Sequence, residues 1–591
     1  MTTAMQTMVQ RGGSWLLEET APEAVFTPER LTDEHRLMNR TAIDFAEKEV
    51  LPRLEQLENK DWALSRELVR RCGELGLLGT DAEEEHGGLA LDKASAVVVA
   101  EGVARSGSFG VTFGAMTGLS IMPLVLFGTP EQKRKYLPKL VSGELVGAYA
   151  LSESGSGSDA LGARARATRQ PDGGFLLNGE KMWISNCSFA DVFIVFAKVD
   201  GEHFTAFIVE RGFPGVSTGK EEHKMGLHGS STAPLILQDA RVPAENVLGE
   251  VGKGHKVAFD VLNYGRFKLG AMASGGAKAA IGEAAKYAAT RKQFGQPIAN
   301  FGAIKHKIGE MVVRVYALES LLYRTSGLID ALIEAEGHTT QALHDALEEF
   351  EVESSIAKVY GSEALHYVLD ENVQIHGGNG FVRDYPAERH YRDSRVNRIF
   401  EGTNEINRLL IPGRLMRKAL KGDLPLIPAA KKLFEEIMTP GLSEPPGDGL
   451  LDAERAAATA FKKVALLILG GAMQRYGQKV GDEQEVLTAI ADILSDAFAA
   501  ESVVLRALDA DARKLPGAPL QADAARAFVS DAAMRIEAAA KSALAAMAEG
   551  DMLRTQLAAL RRVLKHVPVN TVAIRRRLAD ETVSRGSYIF G

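Results

Sequence analysis

Glu401 is preceded by Ile399 and Phe400 and followed by Gly402, Thr403 and Asn404. A carboxylate in such company is a candidate base. Leaving water raises its pKa, and a base tuned toward neutrality removes a carbon-bound proton that a solvated glutamate cannot. Taken alone, Glu401 reads more readily as a helix-end cap or a surface acid, since most glutamates are solvated, and it is the neighbouring motifs that reverse this. Upstream, Gln374, Ile375, His376, Gly377, Gly378, Asn379 and Gly380 form a glycine cluster whose backbone can approach a flat or phosphorylated ligand closely. Arg389, Arg392, Asp393, Arg395 and Arg398 lie between the two. The run Tyr149, Ala150, Leu151, Ser152, Glu153, Ser154, Gly155, Ser156, Gly157, Ser158, Asp159 can present several N–H groups and hydroxyls to one ligand. Its alternative is a plain polar turn, and Gly155 and Gly157 do not complete a dinucleotide fingerprint. No histidine and carboxylate spacing supports a metal site.

These residues need elements to position them. From Thr32 to Leu145 the pattern is helical, with Leu37, Ile43, Phe45 and Val50 near a helical period, and Leu68, Leu75, Leu77 and Leu78 ending at Gly79. Thr129, Pro130, Glu131 and Gln132 make a helix start. After Val146, β-rich runs at Phe175–Leu177, Val192–Val199, Phe204–Val209 and Pro234–Leu237 are separated by turns such as Asp172, Gly173 and Gly174. Helical spacing returns at Lys253 and persists to Lys418, through alanine-rich stretches at Ala271–Thr290 and Ile304–Ile329. Pro425, Pro428, Pro440, Pro445 and Pro446 mark a linker. Beyond it Leu487, Ile490, Leu494, Phe498, Leu505 and Leu508 recur at amphipathic helical spacing. The expected fold is mainly α with a central β-domain: a tail (1–31), a helical domain (32–145), a β-domain (146–252), a helical bundle (253–418), a linker (419–449) and an added helical domain (450–591).

At 591 residues and a net charge of -8 the chain has length for several cores and no basic field of the kind nucleic-acid binders present. Cys72 and Cys187 are too few for a disulfide framework, which points to a reducing compartment. Met1–Arg30 lacks an apolar core long enough for a secretory signal, and Glu18 and Glu19 argue against a transit peptide, so a cytoplasmic location is the expectation. No run approaches the roughly 20 apolar residues of a spanning helix. The longest candidate, Val464–Met473, contains two glycines. Any membrane contact is expected to be peripheral.

Together with Arg291, Lys292, Gln293, Phe294 and Gly295, the motifs around Tyr149, Gln374 and Glu401 make the chain resemble the acyl-CoA dehydrogenase family from about Asp33 to Arg417. The added carboxyl-terminal region looks most like the very-long-chain branch. The resemblance implies the family fold, a helical domain, a β-domain and a helical bundle, with FAD as cofactor. It places Tyr149, Leu151 and Ser152 along the isoalloxazine ring and Ser158 near the substrate's CoA portion. Ser154 stands where the family commonly has proline, which loosens that turn. Trp183, Ile184 and Ser185 match a second flavin-contacting segment, with ordinary β-domain core as the alternative for Trp183. Arg291 and Phe294 match residues that contact a neighbouring subunit's FAD, the arginine facing the pyrophosphate. A surface salt bridge is the alternative for Arg291. Gln374, Gly377 and Gly378 would complete that cross-subunit site, while Thr403 and Glu405 return to the first subunit's flavin. His376 occupies no proton-transfer position in the family.

Asn263 and Arg266 match the start of the helix that contacts the CoA and acyl parts of the substrate, with Phe400 and Gly402 beside them. Some branches carry the base just before that arginine; Gly265 stands there, leaving Glu401. The implied reaction is α,β-dehydrogenation of an acyl-CoA to the trans-2-enoyl-CoA in fatty-acid β-oxidation. Glu401 abstracts the α-proton, hydride passes to flavin N5, and the Glu401 N–H helps bind the thioester oxygen. An electron-transfer flavoprotein is the implied acceptor and a homodimer the implied assembly. Phe113, Gly114, Ala115, Met116, Thr117 and Gly118 occupy the stretch that lines the acyl tunnel in relatives, and the glycines leave space for a long chain or serve close helix packing. Lys431, Lys432, Lys462 and Lys463 could meet an anionic lipid surface. The rival readings are an acyl-CoA oxidase using oxygen, an assembly or scaffolding protein that retains the fold, and related enzymes that oxidise nitroalkanes or hydroxylate aromatics.

Overall fold

The computed structural model describes residues 10–438 and 447–590. Pro440, Pro445 and Pro446 of the expected linker lie outside them. The order of elements is helices to Val141, eight strands to Leu248, and helices again from Gly254 to Arg585. Thr129 caps the Pro130–Val141 helix in a capping box with Gln132.

The eight strands, β1 (Gly147–Ala150), β2 (Arg166–Arg169), β3 (Phe175–Ser185), β4 (Val192–Val199), β5 (His203–Glu210), β6 (Val216–Thr218), β7 (Thr232–Val242) and β8 (Val247–Leu248), form one sheet in the order β6-β7-β3-β2-β4-β5-β8, with β1 laid parallel to β4. β3 (Phe175–Ser185) pairs antiparallel with β7 (Thr232–Val242), and the register slips between Lys181 and Ile184. That bulge turns Trp183 to φ 58° and leaves it 55% exposed, so it is not β-domain core. Behind it the buried pair Lys181 and Glu153, 2.6 Å apart, ties β3 to the loop after β1.

Long helices at Gly254–Thr290, Gly302–Glu336 and Glu351–His376 make the bundle. Buried residues recur along each, many of them alanine or glycine in the first, which lets the helices approach closely. The helices Asp452–Tyr476, Gln484–Ala512, Ala518–Met547 and Thr571–Arg585 form the added region, packed on Gly302–Glu336.

Several expectations are corrected by packing. Residues 10–31 are an ordered strap, not a tail: Gly12 and Gly13 donate to the carboxylates of Glu349 and Glu353, and buried Trp15 packs 4.9 Å from Phe498 of the added region. Within the expected linker, Leu426–Met438 is helical, because Leu433 and Ile437 bury on one face and Pro428 sits in the first turn, where no N–H is needed. Lys462 cannot meet lipid; it is buried in an ion pair with Glu501. Two helical stretches, Ser108–Phe127 and Asp452–Asp482, are long and apolar enough to cross a membrane, against the sequence expectation, but most of each lies inside the fold.

Candidate active site

Glu401 stands in the turn between a short 3-10 helix at Arg395–Arg398 and the helix Asn404–Lys421, whose N-cap is Thr403. The turn is left-handed at two successive residues, Glu401 (φ 57°) and Gly402 (φ 78°). Only the second suits its residue type, so the conformation must be imposed from outside. Three side chains impose it. Arg266 Nε donates to the Glu401 carbonyl at 3.3 Å, and Lys358 Nζ to the Gly402 carbonyl at 2.7 Å. Asn407 Nδ2 donates to the Gly402 and Thr403 carbonyls at 2.9 and 3.1 Å. With its carbonyl drawn inward, the Glu401 N–H donates to no acceptor among the described residues.

The carboxylate faces the other way. Its Oε2 is buried without a hydrogen-bond partner. A Cβ built on Gly265 would lie 2.6 Å from that oxygen, so the glycine leaves the space the carboxylate fills. Burial pushes Glu401 up to about 7, against the pull of the Arg266 guanidinium and the Lys358 ammonium. Burial likewise draws Lys358 down to about 7, opposed by Glu401. The carboxylate is thus poised as a base near neutrality, beside an N–H free to bind an oxyanion.

Glu401, Phe400 and Gly265 open on a cavity of about 660 Å³ that follows one face of the Gly254–Thr290 helix through Leu269 and Met272. Its opposite wall includes Gly114, Ala115 and Gly118, where the Ser108–Gly114 helix widens into a π-helical stretch at Ala115–Ile121. A Cβ at Gly118 would meet nothing within 4 Å, and one at Gly114 only the Met272 sulfur at 3.5 Å, so neither glycine is there for close helix packing. Phe113, Met116 and Thr117 are buried behind that wall.

Ser185 lines the same cavity, next to buried Ile184 and exposed Trp183. Tyr149 bonds its hydroxyl to the Ala258 carbonyl at 3.3 Å and feels the charge of Glu401, while Leu151 is buried beside half-buried Ser152. Ser158 and Glu405 are exposed. Asn263 is buried and accepts from Arg266 Nη1 at 2.8 Å, so it orients the arginine.

Arg291, Phe294, Gln374, Gly377 and Gly378 are not in this cavity. They collect at the far end of the bundle, where Tyr287, one turn before Arg291, stacks on His376 at 4.1 Å and donates to its carbonyl. His376 is buried and bonded to the Asn372 carbonyl, a structural residue. From Ser362, which touches Asn404, to His376 is fourteen helical residues, about 21 Å. At that end Arg291 has no acidic partner among the described residues, Phe294 is 93% exposed, and Gly377 (φ 59°) and Gly378 have nothing within 4 Å of an added Cβ. A surface salt bridge is therefore not what Arg291 makes. Bare backbone, an unpaired guanidinium and an open aromatic fit a phosphate-bearing, flat ligand.

Sequence reasoning missed Lys358 and Asn407. The one available signal for Lys358 is a lone lysine between Ile356, Ala357 and Val359, a run that otherwise buries.

Four family models match in chain order: "Acyl-CoA dehydrogenase, N-terminal domain" over residues 32–144, "middle domain" over 148–240, "C-terminal domain" over 252–416, and a further "C-terminal domain" over 460–562. A "Probable acyl-CoA dehydrogenase" of Bacillus subtilis is 49% identical over 581 residues, 97% of each chain. The human mitochondrial very long-chain specific acyl-CoA dehydrogenase is 42% identical over 369 residues, 61% of this chain and 53% of that protein. A crystal structure of an acyl-CoA dehydrogenase from Bacillus anthracis complexed with FAD superposes with a TM-score of 0.96 at 48% identity, covering 98% of this chain and all of the other.

Proposed function

The chain belongs to the acyl-CoA dehydrogenase family, and from that premise we propose that it is an FAD-dependent acyl-CoA dehydrogenase in which Glu401 removes the α-proton of a long-chain thioester. The observation that carries this reading is the buried, unbonded Oε2 of Glu401 on the wall of a cavity that runs past Leu269 and Met272, beside an unused backbone N–H.

The residues present fit the cofactor. Trp183, thrown out of β3, offers a ring face, and Tyr149, Leu151, Ser152, Ile184 and Ser185 supply the wall and hydroxyls for a flavin beside Glu401. FAD, when bound, supplies the acceptor for the hydride of the β-carbon. Glu401 takes the α-proton onto Oε2, and the α-carbon's electron pair becomes the new double bond of the trans-2-enoyl product. The Glu401 N–H meets the charge that develops on the thioester oxygen. Arg266, Lys358 and Asn407 keep the carboxylate and that N–H aimed at one substrate. Phe400 and Leu269 keep water out.

The open positions at Gly114 and Gly118 support a preference for long chains and a place in β-oxidation. The exposed cluster at Arg291, Phe294, Gln374, Gly377 and Gly378 supports a homodimer in which each copy completes the other's FAD site. An electron-transfer flavoprotein is the proposed acceptor, in the cytoplasm, with any membrane contact peripheral and through exposed Lys431 and Lys432 of the Leu426–Met438 helix that leads into the added region. The test is oxygen consumption during turnover of a long-chain acyl-CoA. Slow oxygen consumption is expected, with enoyl-CoA formation rising only when an electron-transfer flavoprotein is added as the oxidant; fast oxygen consumption without it would make the enzyme an oxidase. A purified protein without flavin would instead support the scaffolding reading.

A further inference from the structure

The side chains that hold the Glu401 turn do not end at the bundle. Lys358 Nζ, besides holding the Gly402 carbonyl, donates to Asn404 Oδ1 at 2.7 Å. That bond fixes the sense of the Asn404 amide, whose Nδ2 then donates to Ser362 Oγ and to Glu363 Oε1, each at 3.0 Å. Glu363 is held as a carboxylate by a two-pronged contact from Arg408, at 2.7 and 2.9 Å. The remaining edge of that guanidinium, Nε, donates to Asp492 at 2.8 Å. Asp492 lies on the Gln484–Ala512 helix of the added region, whose neighbours Ile490, Ala491, Ile493 and Leu494 are fully buried, so its backbone is fixed by that region's core while its carboxylate, 45% exposed, reaches out to Arg408. Lys358, Ser362 and Asn404 are buried too, which leaves the inner half of the relay no water to fall back on.

We propose that the added helical region is a positioning part of the active site, with Asp492 acting through Arg408, Glu363, Asn404 and Lys358 to hold the turn that carries Glu401. Each link constrains the next. Without Asp492 the Arg408 fork can swing toward solvent, Glu363 loses its fixed partner, and the Asn404 amide is free to turn away from Lys358. The ammonium then has only the Gly402 carbonyl, and a turn with two left-handed residues has less to keep it in place. Asp492 touches no substrate, and its effect is on the alignment of a base it lies several bonds from.

The inference rests on Glu401 as the base, and its test separates the two. Holoenzyme carrying Asp492→Ala, Asp492→Glu or Arg408→Met is compared with Asp580→Asn, which removes an ion pair to Lys305 at the same bundle boundary but outside the relay. Two quantities are read: hydrogen exchange of the peptide covering residues 398–406, and the rate constant and apparent affinity of anaerobic flavin reduction by a long-chain acyl-CoA. Asp492→Ala and Arg408→Met are expected to speed exchange in that peptide and slow reduction about three- to tenfold, with affinity and FAD content unchanged. Asp492→Glu is expected to restore most of both, and Asp580→Asn to move neither. Unchanged exchange at 398–406 in Asp492→Ala and Arg408→Met, or an equal change in Asp580→Asn, overturns the proposal. If the wild-type flavin is not reduced at all, the role of Glu401 fails, while the exchange result still reads the relay.

Discussion

Glu401 is held against two preferences at once, that of a non-glycine residue for negative φ and that of a carboxylate for donors. Both costs go to aiming and tuning one oxygen. With its carboxyl pushed up to about 7, the base is mostly protonated in acid, so kcat/KM is expected to rise with pH through an ascending limb near 7. A profile flat from about pH 5.5 to 8.5 would contradict the assignment. The same shift governs stability. Between the ordinary glutamate range and about 7 the folded chain keeps a proton that the unfolded chain releases, so this group's contribution to stability falls as pH rises through that window. Glu401→Gln escapes that loss, and its Tm is expected to exceed the wild type's by about 2–4 °C at pH 8, with the gap closing toward pH 5. Thermal melts of both proteins at the two pH values check it.

Elements place that residue, and some were legible before others. Glu401 and the glycine cluster could be found because each sits in a short run whose composition is unusual. Lys358 and Arg266 act on the turn across long sequence separations, which no local pattern reports, whereas Asn407 lies one turn into the following helix and reads there as an ordinary helical residue. Trp183 was readable as an aromatic in a flavin-contacting match, but its exposure depends on a bulge between Lys181 and Ile184 that only strand pairing reveals. Proline spacing pointed to a linker where Leu433 and Ile437 in fact bury a helix. The π-helical stretch Ala115–Ile121 was legible only as two glycines, and the structure shows that Gly118 opens on free space. Gly118→Leu is therefore expected to leave reduction by short acyl-CoAs within about twofold and lower kcat/KM for long ones at least about tenfold, by filling the cavity. Equal losses at every chain length would mean that Gly118 does not line the acyl path.

At the scale of the molecule, the proposed cofactor site lies in two separated parts, one around Glu401 and one around Arg291, about 21 Å apart along the Glu351–His376 helix. In the proposed homodimer two copies join them. Arg291→Ala is expected to lower retained FAD at least about tenfold in apparent affinity while the fold and the Glu401 turn persist, since the pyrophosphate loses a charged partner. Unchanged FAD content would return Arg291 to the surface. Sedimentation is expected to give the mass of a dimer, with the added region occupying faces of Gly302–Glu336 and Asn404–Lys421 within each copy. A tetramer would contradict that. The most direct test of the central claim is anaerobic bleaching of the flavin absorbance by saturated acyl-CoAs from short to very long chains, in wild type and Glu401→Gln. The wild type is expected to bleach fastest with long chains, and the variant to keep its yellow flavin while bleaching at least about a thousandfold more slowly. Bleaching of Glu401→Gln at the wild-type rate would remove Glu401 from the reaction.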